Sequence, residues 1–281
     1  MNYRHIFHAG NFADVLKHAV LARILSYLAR KEAPFRVIDT HAGTGLYDLT
    51  SEAAQRSPEW KDGIARLIGT SLPPAVEALL APYLAVVRPL FLADKPKYPG
   101  SPLIAQALTR TQDRLSFIEK HPIDHDRLKA ALAGDRRAKV IDIDGWMAWK
   151  AQVPPPERRG LTLVDPPFEE PGEFERLVAG LTEAHRRWPG GTTLMWYPLK
   201  DGNGADVCAD ALAASGIPRI LQAELRIEQA VDNSPLAATG LFIVNPPYTL
   251  DADLQVLLPF LARRLARGPG AGSRLSWLSG E

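Results

Sequence analysis

The sequence predicts an α/β protein whose core is an open, mostly parallel sheet. Short apolar and β-branched runs alternate with segments of helical periodicity, which is the pattern of parallel strands joined by crossover helices. Several of these runs end in an acid or a glycine-rich turn, as strands do where such a sheet binds a ligand at its carboxyl edge. With 281 residues, of which 46% are hydrophobic and 23% charged, the chain can bury a core of this kind.

The composition narrows the classes of function. Lys and Arg number 33 and Asp and Glu 32, so any nucleic-acid-binding surface must be local. Cys208 is the only cysteine, which excludes an internal disulfide and a zinc site made of several cysteines and is typical of a reducing compartment. The opening residues do not resemble a signal peptide, and we find no apolar run long enough to cross a bilayer. We therefore expect a cytoplasmic protein without a membrane partner.

The N-terminal segment is dense in histidine, aromatic and small polar residues. Apolar residues at helical spacing predict a helix from about Asn11, which carries Lys17 and His18 behind a short tail. The spacing of His5 and His8 in the tail would suit two metal ligands. No carboxylate or cysteine cluster completes such a site, so we expect no bound metal.

The first strand ends in a glycine-rich turn. The run Arg36-Val37-Ile38 is followed by Asp39 and then by Thr40-His41-Ala42-Gly43-Thr44-Gly45. This turn is neither the longer Gly-x-Gly-x-x-Gly pattern nor a P-loop, because the Lys-Ser/Thr pair is missing. Glycines allow a backbone to approach a ligand closely, and Asp39 can accept a hydrogen bond from a cationic or hydroxylated ligand. Alone, the turn is weak evidence for a ligand site.

Residues 47–97 show helical patterning without an obvious strand, and prolines punctuate them. They predict a small helical subdomain inserted after the first strand. The sheet domain is then made of residues 1–46 and 98–281, with residues 1–10 as a mobile N-terminal tail.

Two further strands end in acids. The run that starts at Arg114 ends in Glu119, and the run that starts at Ala138 ends in Asp144-Gly145. The acid that closes the second strand of a nucleotide-binding sheet accepts hydrogen bonds from ribose hydroxyls, so Glu119 is the predicted ribose ligand. Asp144 and Gly145 are placed to reach the adenine of the same ligand. The alternatives are a cap at Glu119 and a simple turn at Asp144-Gly145, but three strand-terminal acids in register favour the ligand.

The most informative motif is Asp165-Pro166-Pro167-Phe168, which follows the buried run of residues 160–164. The two prolines fix φ, remove two backbone donors and hold the preceding residue extended, so the chain leaves the strand in one conformation. This corner offers the Asp165 carboxylate and the Pro166 carbonyl as paired acceptors beside the flat ring of Phe168. Such an arrangement suits an exocyclic amine on a planar base. Asp165 is therefore the predicted catalytic residue, with Pro166 and Phe168 as substrate contacts.

A second proline corner, Asn245-Pro246-Pro247-Tyr248, competes with the first. In a doubly wound sheet the reactive crevice lies between the first and fourth strands, so we expect Asn245, which closes a later strand, to lie off to one side. After Phe168 the sequence predicts a helix at residues 174–188, a strand at 192–197 that is stopped by Pro198, and a second helix at 205–214. An antiparallel pair of strands at 219–227 and 240–245 and a closing helix at 259–267 complete the prediction.

The order of glycine turn, strand-terminal acids and Asp-Pro-Pro-Phe resembles that of S-adenosylmethionine-dependent methyltransferases acting on the adenine N6 amine. Longer stretches resemble one family, the RlmJ family of 23S ribosomal RNA adenine-N6 methyltransferases. The resemblance implies a Rossmann-like class I methyltransferase sheet with a terminal antiparallel hairpin and an inserted helical subdomain. The stretches are Tyr3-Arg4-His5, Phe7-His8-Ala9-Gly10-Asn11, Ala13-Asp14-Val15-Leu16-Lys17-His18, Asp39-Thr40-His41-Ala42-Gly43, Tyr98-Pro99-Gly100-Ser101-Pro102-Leu103 and Trp196-Tyr197-Pro198.

The resemblance also implies roles for single residues. Asp165 would accept a proton or hydrogen bond from the target amine, Tyr3 on the tail would meet the substrate, and Lys17 would lie beside the cofactor or the target. Phe168 departs from the family pattern, where Tyr is the commoner ending; stacking on a base survives this change, while a hydroxyl contact is lost. The implied contacts of S-adenosylmethionine are His18, His41, Ser101, Glu119, Asp144, Gly145 and Asp165.

The implied partner is 23S ribosomal RNA, with an unpaired or flipped-out adenine as the target, and we expect a monomer. Arg4 and the helical insertion are the expected RNA contacts. Other basic clusters are available, although each is by default a solvated surface: Arg136-Arg137, Arg158-Arg159, His185-Arg186-Arg187 and Arg263-Arg264-Arg267. Three other functions compete: a DNA adenine-N6 methyltransferase, a methyltransferase of protein glutamine amides that uses Asn245, and a non-catalytic RNA-binding module.

Overall fold

The computed structural model describes residues 5–200, 203–229 and 236–280. Short 3-10 turns lie at His5–Phe7 and Glu59–Lys61. The strands are β1 (Arg36–Asp39), β2 (Leu46–Asp48), β3 (Lys97–Pro99), β4 (Arg114–Ile118), β5 (Ala138–Ile141), β6 (Gly160–Val164), β7 (Thr192–Leu199), β8 (Ile220–Arg226), β9 (Ala238–Val244) and β10 (Gly272–Ser279). The helices are α1 (Phe12–Leu28), α2 (Glu52–Arg56), α3 (Ala65–Ile68), α4 (Pro74–Phe91), α5 (Ser101–Leu108), α6 (Pro122–Ala131), α7 (Gly145–Gln152), α8 (Glu173–Arg187), α9 (Gly204–Ala213) and α10 (Leu250–Leu265).

Within the part of the chain that the structure describes, the main sheet has eight strands in the order β10-β8-β9-β7-β6-β1-β4-β5. β1 pairs in parallel with both β4 and β6, and β5 and β7 extend the parallel part on either side. β7, β9, β8 and β10 then pair antiparallel to one another. This topology confirms the predicted fold class. It also places the reversal of strand order between β1 and β6, where open α/β sheets bind their ligands.

Helices cover both faces of the sheet. α1, α4, α5 and α10 contribute to one apolar cluster, and α7, α8 and α9 to a second cluster on the other face. β6 is buried along its whole length, as expected of a central parallel strand between two helical layers. α1 begins close to the predicted start, and the Asn11 side chain caps it by accepting a hydrogen bond from the backbone N–H of Asp14 at 3.0 Å. Because α1 runs through the core, its polar residues Asp14, Lys17 and His18 are buried as well.

The segment of residues 47–97 enters and leaves through a short antiparallel pair that we did not predict. In this pair Leu46 lies opposite Pro99, and Tyr47 lies opposite Tyr98. The helices between β2 and β3 place Leu80 and Leu84 in the same apolar cluster as α1. The division of the chain into a sheet domain and an inserted subdomain remains our proposal.

Three predicted element boundaries were wrong. α10 begins at Leu250 and contains Pro259, which we had taken as its first residue. β7 continues through Pro198, because its pairing with β6 ends at Met195 and Pro198 therefore pairs on one side only, with Thr239 of β9. β5 stops at Ile141, and Gly145 already belongs to α7.

The last strand was missed altogether. We predicted only a tail after the final helix, but Gly272–Ser279 pairs antiparallel with β8 at the edge of the sheet. This segment is nowhere fully buried, so it lacks the apolar run that marks the interior strands.

One helix among the described residues, α4, is long and apolar enough to cross a bilayer, contrary to our expectation that no such run exists. Length and composition alone are weak evidence for a membrane span, since a helix of a soluble core can meet the same criterion. Leu80, Tyr83, Leu84 and Val87 of α4 are fully buried in the protein core.

Candidate active site

A cavity of about 820 Å³ opens at the carboxyl ends of β1, β4 and β6. This volume lies in the range of small-molecule sites. Asn245 is not among the residues that line the cavity, and Tyr3 and Arg4 lie outside the described residues. Apart from Asp39, the other predicted site residues line this one cavity, namely Lys17, His18, His41, Ser101, Glu119, Asp144, Gly145, Asp165, Pro166 and Phe168.

Asp39, at the end of β1, joins the glycine turn to the start of α5. It is 1% exposed, accepts a hydrogen bond from the Ser101 hydroxyl at 2.7 Å and lies 3.3 Å from the backbone N–H of His41. Burial raises the pKa of the Asp39 carboxyl to about 7, and the nearby charge of Asp165 acts in the same direction. Our expectation that Asp39 itself accepts from a ligand has no support in this geometry, since Asp39 does not line the cavity.

Glu119, at the end of β4, ties two loops of the cavity together. Its carboxylate accepts from the backbone N–H of Gly43 and from that of His121, each at 2.8 Å. Burial raises the pKa of this carboxyl above its usual value. A carboxylate has about four lone-pair sites, so Glu119 retains acceptor capacity toward the cavity.

Asp144 caps the N-terminus of α7. One carboxylate oxygen accepts from the backbone N–H of Trp146 at 3.0 Å, and the other lies 3.2 Å from Lys120 Nζ. Burial opposes ionisation of Asp144, but the hydrogen bond and charge of Lys120 outweigh it, so its pKa is lowered. The next residue, Gly145, has no side chain, and none would fit. A Cβ at this position would clash with the carbonyl oxygen of Thr40 and lie 2.7 Å from His41 Nε2. Without a side chain, the start of α7 approaches the β1 turn closely.

His41 forms a neutral wall of the cavity. Its Nδ1 lies 2.8 Å from the Thr40 hydroxyl, and its ring meets Trp146 edge-on with centroids 5.5 Å apart. Burial lowers the pKa of His41 to about 4, so the ring is uncharged at neutral pH.

Lys17 of α1 contacts the predicted catalytic carboxylate directly. Its ammonium group hydrogen-bonds Asp165 Oδ2 and lies 3.1 Å from Asp14 Oδ1. Burial alone would lower the pKa of Lys17, but the charges of Asp165 and Asp14 outweigh it and raise that pKa. The pKa of Asp14 is correspondingly held well below its usual value: burial would raise it, but His5 and Lys17 outweigh burial. A buried cation between two carboxylates thus forms part of the cavity wall.

The Asp-Pro-Pro-Phe corner ends in an aromatic wall. Phe168 has a φ of 50°, a strained region for an aromatic residue, and its ring packs on Phe174 and Trp196 with centroid distances of 4.8 and 5.7 Å. Trp196, on β7, also lies 5.9 Å from the ammonium group of Lys17. We did not predict Trp196 as a site residue, although an aromatic side chain near the carboxyl end of the strand after β6 is a signal that the sequence contains.

Asn245 lies at the opposite edge of the sheet. β9 runs antiparallel to β7, so its carboxyl end meets the start of β7, where Thr193 pairs with Val244. The Asn245 amide donates to the backbone carbonyls of Pro189 and Gly191, at 2.6 and 3.0 Å. These contacts give Asn245 a structural role in holding the loop before β7. Its position agrees with our expectation that it lies away from the crevice.

The chain is similar to a family of ribosomal RNA methyltransferases over nearly its whole length. Residues 32–279 match the family model described as ribosomal RNA large subunit methyltransferase D, RlmJ. Two relatives are each described as ribosomal RNA large subunit methyltransferase J. That of Escherichia coli (strain K12) is 40% identical over 283 residues and that of Haemophilus influenzae is 38% identical over 285, both covering 100% of either chain. A crystal structure of a Legionella pneumophila protein matches with a TM-score of 0.86 and 32% identity, covering 98% of this chain and 99% of that one.

Proposed function

Because the chain belongs to the RlmJ family of ribosomal RNA large subunit methyltransferases, we propose that it methylates the N6 amine of an unpaired or flipped-out adenine in 23S ribosomal RNA. The methyl donor is S-adenosylmethionine. The assignment of an amine as the target depends on the corner formed by residues 165–168. This corner lines a large cavity beside the reversal of strand order between β1 and β6.

The residues of the cavity fit S-adenosylmethionine. Acids outnumber Lys and Arg among the described residues that line it, which suits a ligand carrying a sulfonium and an ammonium group. Glu119 retains acceptor capacity for ribose hydroxyls, and the missing side chain of Gly145 lets α7 approach the β1 turn closely at the wall of the cavity. The proposed contacts are His18, His41, Ser101, Glu119, Asp144, Gly145 and Asp165. When bound, the cofactor supplies an electrophilic methyl group.

In the proposed mechanism Asp165 and the Pro166 carbonyl orient the target amine. An adenine N6 amine is a poor nucleophile because its lone pair is delocalised into the ring. Two acceptors that hold its N–H bonds turn that lone pair toward the methyl group and stabilise the positive charge that develops on nitrogen. Asp165 can hold the amine and Lys17 together, since a carboxylate has about four lone-pair sites. The Asp165 carboxylate then accepts the proton that N6 releases.

The aromatic wall supports binding of a single base. Phe168 and Trp196 border the part of the cavity next to Asp165 and offer faces on which a purine can stack. A base inside a helix cannot reach this position, so the target adenine must be unpaired or flipped out. We propose that Tyr3 also contacts the substrate.

Most Arg-rich clusters predicted as possible RNA contacts are engaged within the fold. Arg137 pairs with Asp135 at 2.6 Å, Arg187 pairs with Glu183 at 2.8 Å, and Arg264 donates to the carbonyl of Arg66 at 2.6 Å. Arg176 and Lys200, by contrast, are exposed and line the cavity. We propose that these two hold the phosphates that flank the target nucleotide.

The alternative of a DNA adenine methyltransferase finds no support, because both relatives carry names that specify ribosomal RNA. A glutamine methyltransferase would need Asn245 at the crevice, and its amide is engaged at the other edge of the sheet. A ribosomal RNA substrate implies action in the cytoplasm.

The proposed activity is tested in a strain that lacks the gene. We expect mass spectrometry of digested 23S ribosomal RNA to show a loss of one N6-methyladenosine, which a plasmid copy of the wild-type gene restores. The purified protein should methylate RNA from that strain and leave duplex DNA unmodified. Unchanged N6-methyladenosine in the deletion strain, or methylation of DNA instead, would overturn the proposal.

A further inference from the structure

Three buried aromatic residues connect α4 to the proposed cofactor site through hydrogen bonds. His18 Nδ1 lies 2.7 Å from the Tyr98 hydroxyl, and the Tyr98 hydroxyl lies 2.9 Å from that of Tyr83. His18 is 1% exposed and both tyrosines are 0% exposed, so water does not compete for these bonds. His18 lines the cavity from α1, while Tyr98 lies on β3 and Tyr83 on α4.

The number of available protons fixes the direction of these bonds. Burial lowers the pKa of His18 to about 3, so its ring is neutral and carries one N–H. Each tyrosine hydroxyl also has one hydrogen to donate. Among the described residues, the Tyr83 hydroxyl has no hydrogen-bond partner other than Tyr98. Its hydrogen therefore goes to Tyr98, whose own hydrogen goes to His18 Nδ1. The reverse order would leave the Tyr83 O–H buried without an acceptor, which is costly.

The proton of His18 is then on Nε2. The surroundings agree, because the carboxylate oxygen Asp14 Oδ1 lies 3.9 Å from Nε2. This distance is too long for a hydrogen bond, but the negative charge favours the tautomer with hydrogen on that side. An N–H that is not consumed by a protein acceptor remains available to an oxygen of a bound ligand.

We infer that Tyr98, anchored by Tyr83 of α4, is a positioning residue that holds His18 as the Nε2–H tautomer, with that N–H available to an acceptor oxygen of the cofactor. The inference rests on the proposed function, since it takes the cavity to bind S-adenosylmethionine. It gives residues 47–97 a role in the site although only Tyr47 of that segment lines the cavity. Removing either hydroxyl lowers the population of the competent ring state, and the apparent affinity falls in proportion.

The test measures the affinity for S-adenosylmethionine in tyrosine-to-phenylalanine variants by calorimetry. Tyr98→Phe removes the direct partner of His18, and we expect the Kd to rise about tenfold; Tyr83→Phe acts one step away and should raise it about threefold. Tyr197→Phe is the matched control. Its hydroxyl is also buried and hydrogen-bonded, to Glu224 and Gln222 at 2.8 Å each, but it belongs to another cluster. This control should lose similar thermal stability and keep its Kd within about twofold.

Two further measurements separate positioning from general destabilisation. In a His18→Ala background the Tyr98→Phe effect on Kd should vanish, because the residue through which it acts is gone. Nitrogen-15 NMR of the ligand-free protein should show His18 Nε2 protonated, with mixed tautomers in Tyr98→Phe. A Kd within twofold of wild type in Tyr98→Phe, an equal effect without His18, or a wild-type His18 protonated on Nδ1 would each overturn the inference. Failure of the wild-type protein to bind S-adenosylmethionine would instead overturn the proposed function, and the NMR result would still decide the tautomer.

Discussion

At the scale of single residues, the site depends on how buried charges are compensated. Lys17 lies between the carboxylates of Asp14 and Asp165, and the three side chains are largely removed from water. Breaking such a group by removing one member leaves an uncompensated charge, whereas the intact group holds each side chain in a single position. The orientation of Asp165 that the mechanism requires is therefore maintained by contacts within the protein itself.

Asp39 provides a pH-dependent test of this burial. Its pKa is about 7 in the folded protein against 3.8 when exposed, so between these values the folded state holds a proton that the unfolded chain has lost. The free energy of unfolding should therefore fall as pH rises from about 4 to about 7 and level off above. Asp39→Asn removes this contribution, and we expect it to gain on the order of 1–3 kcal/mol relative to wild type between pH 5 and pH 8.

Urea unfolding at several pH values measures this difference. Asp48→Asn serves as the control, because Asp48 is exposed and the hydrogen bond from Thr50 lowers its pKa, so its difference from wild type should stay flat in this window. A flat difference for Asp39→Asn would show that Asp39 is ionised in the folded protein throughout. Glu119 and Glu173, whose pKa values are also raised by burial, contribute slopes of the same sign in both proteins and cancel.

At the scale of secondary structure, we could predict the elements that are marked by their own residues, and we missed or misplaced those that depend on contacts with distant residues. The strands that end at Asp39, Glu119 and Asp165 could be predicted because each is a buried apolar run with a polar residue at its end. β10 could not, because it is half exposed and owes its existence to pairing with β8. α10 was shortened in our prediction because Pro259 is a strong start signal that the surrounding core overrides.

The same distinction holds for the site. Its strand-terminal acids and the Asp-Pro-Pro corner were visible in the sequence because the topology of a parallel sheet brings strand ends together. The contact between Lys17 and Asp165 was not, since 148 positions separate these residues and only the packing of α1 against β6 joins them. Nor could the chain of Tyr83, Tyr98 and His18 be foreseen, because 80 positions separate His18 from Tyr98.

At the scale of the whole molecule, the parallel and antiparallel halves of the sheet have different roles. The parallel half gathers the acids and the proline corner at one edge, while the antiparallel half closes the core and keeps the Asn245 corner at the opposite edge. With nearly balanced charge over the chain, RNA binding depends on where the exposed cations lie. Arg176 and Lys200 are placed at the cavity, beside the acids that suit the cofactor.

Replacing both rim cations should weaken RNA binding without affecting the cofactor. For Arg176→Ala with Lys200→Ala we expect the KM for 23S ribosomal RNA to rise about tenfold and the slope of log affinity against log salt to fall by about one unit per side chain. Arg136→Ala is the control, because Arg136 is exposed but precedes β5 at the amino edge of the sheet. An equal loss in the control, or an unchanged salt slope in the double variant, would remove these residues from the RNA-binding surface.

The proposed mechanism depends on the Asp165 carboxylate, which we claim orients the target amine. The most direct test is the single-turnover rate of methyl transfer to unmodified 23S ribosomal RNA by Asp165→Ala, measured beside its Kd for S-adenosylmethionine. We predict a rate at least about a thousandfold below wild type, in line with the loss of a preorganised hydrogen-bonding group, and a Kd raised by less than about tenfold. A variant that binds the cofactor and transfers the methyl group at a rate comparable to wild type would contradict the claim.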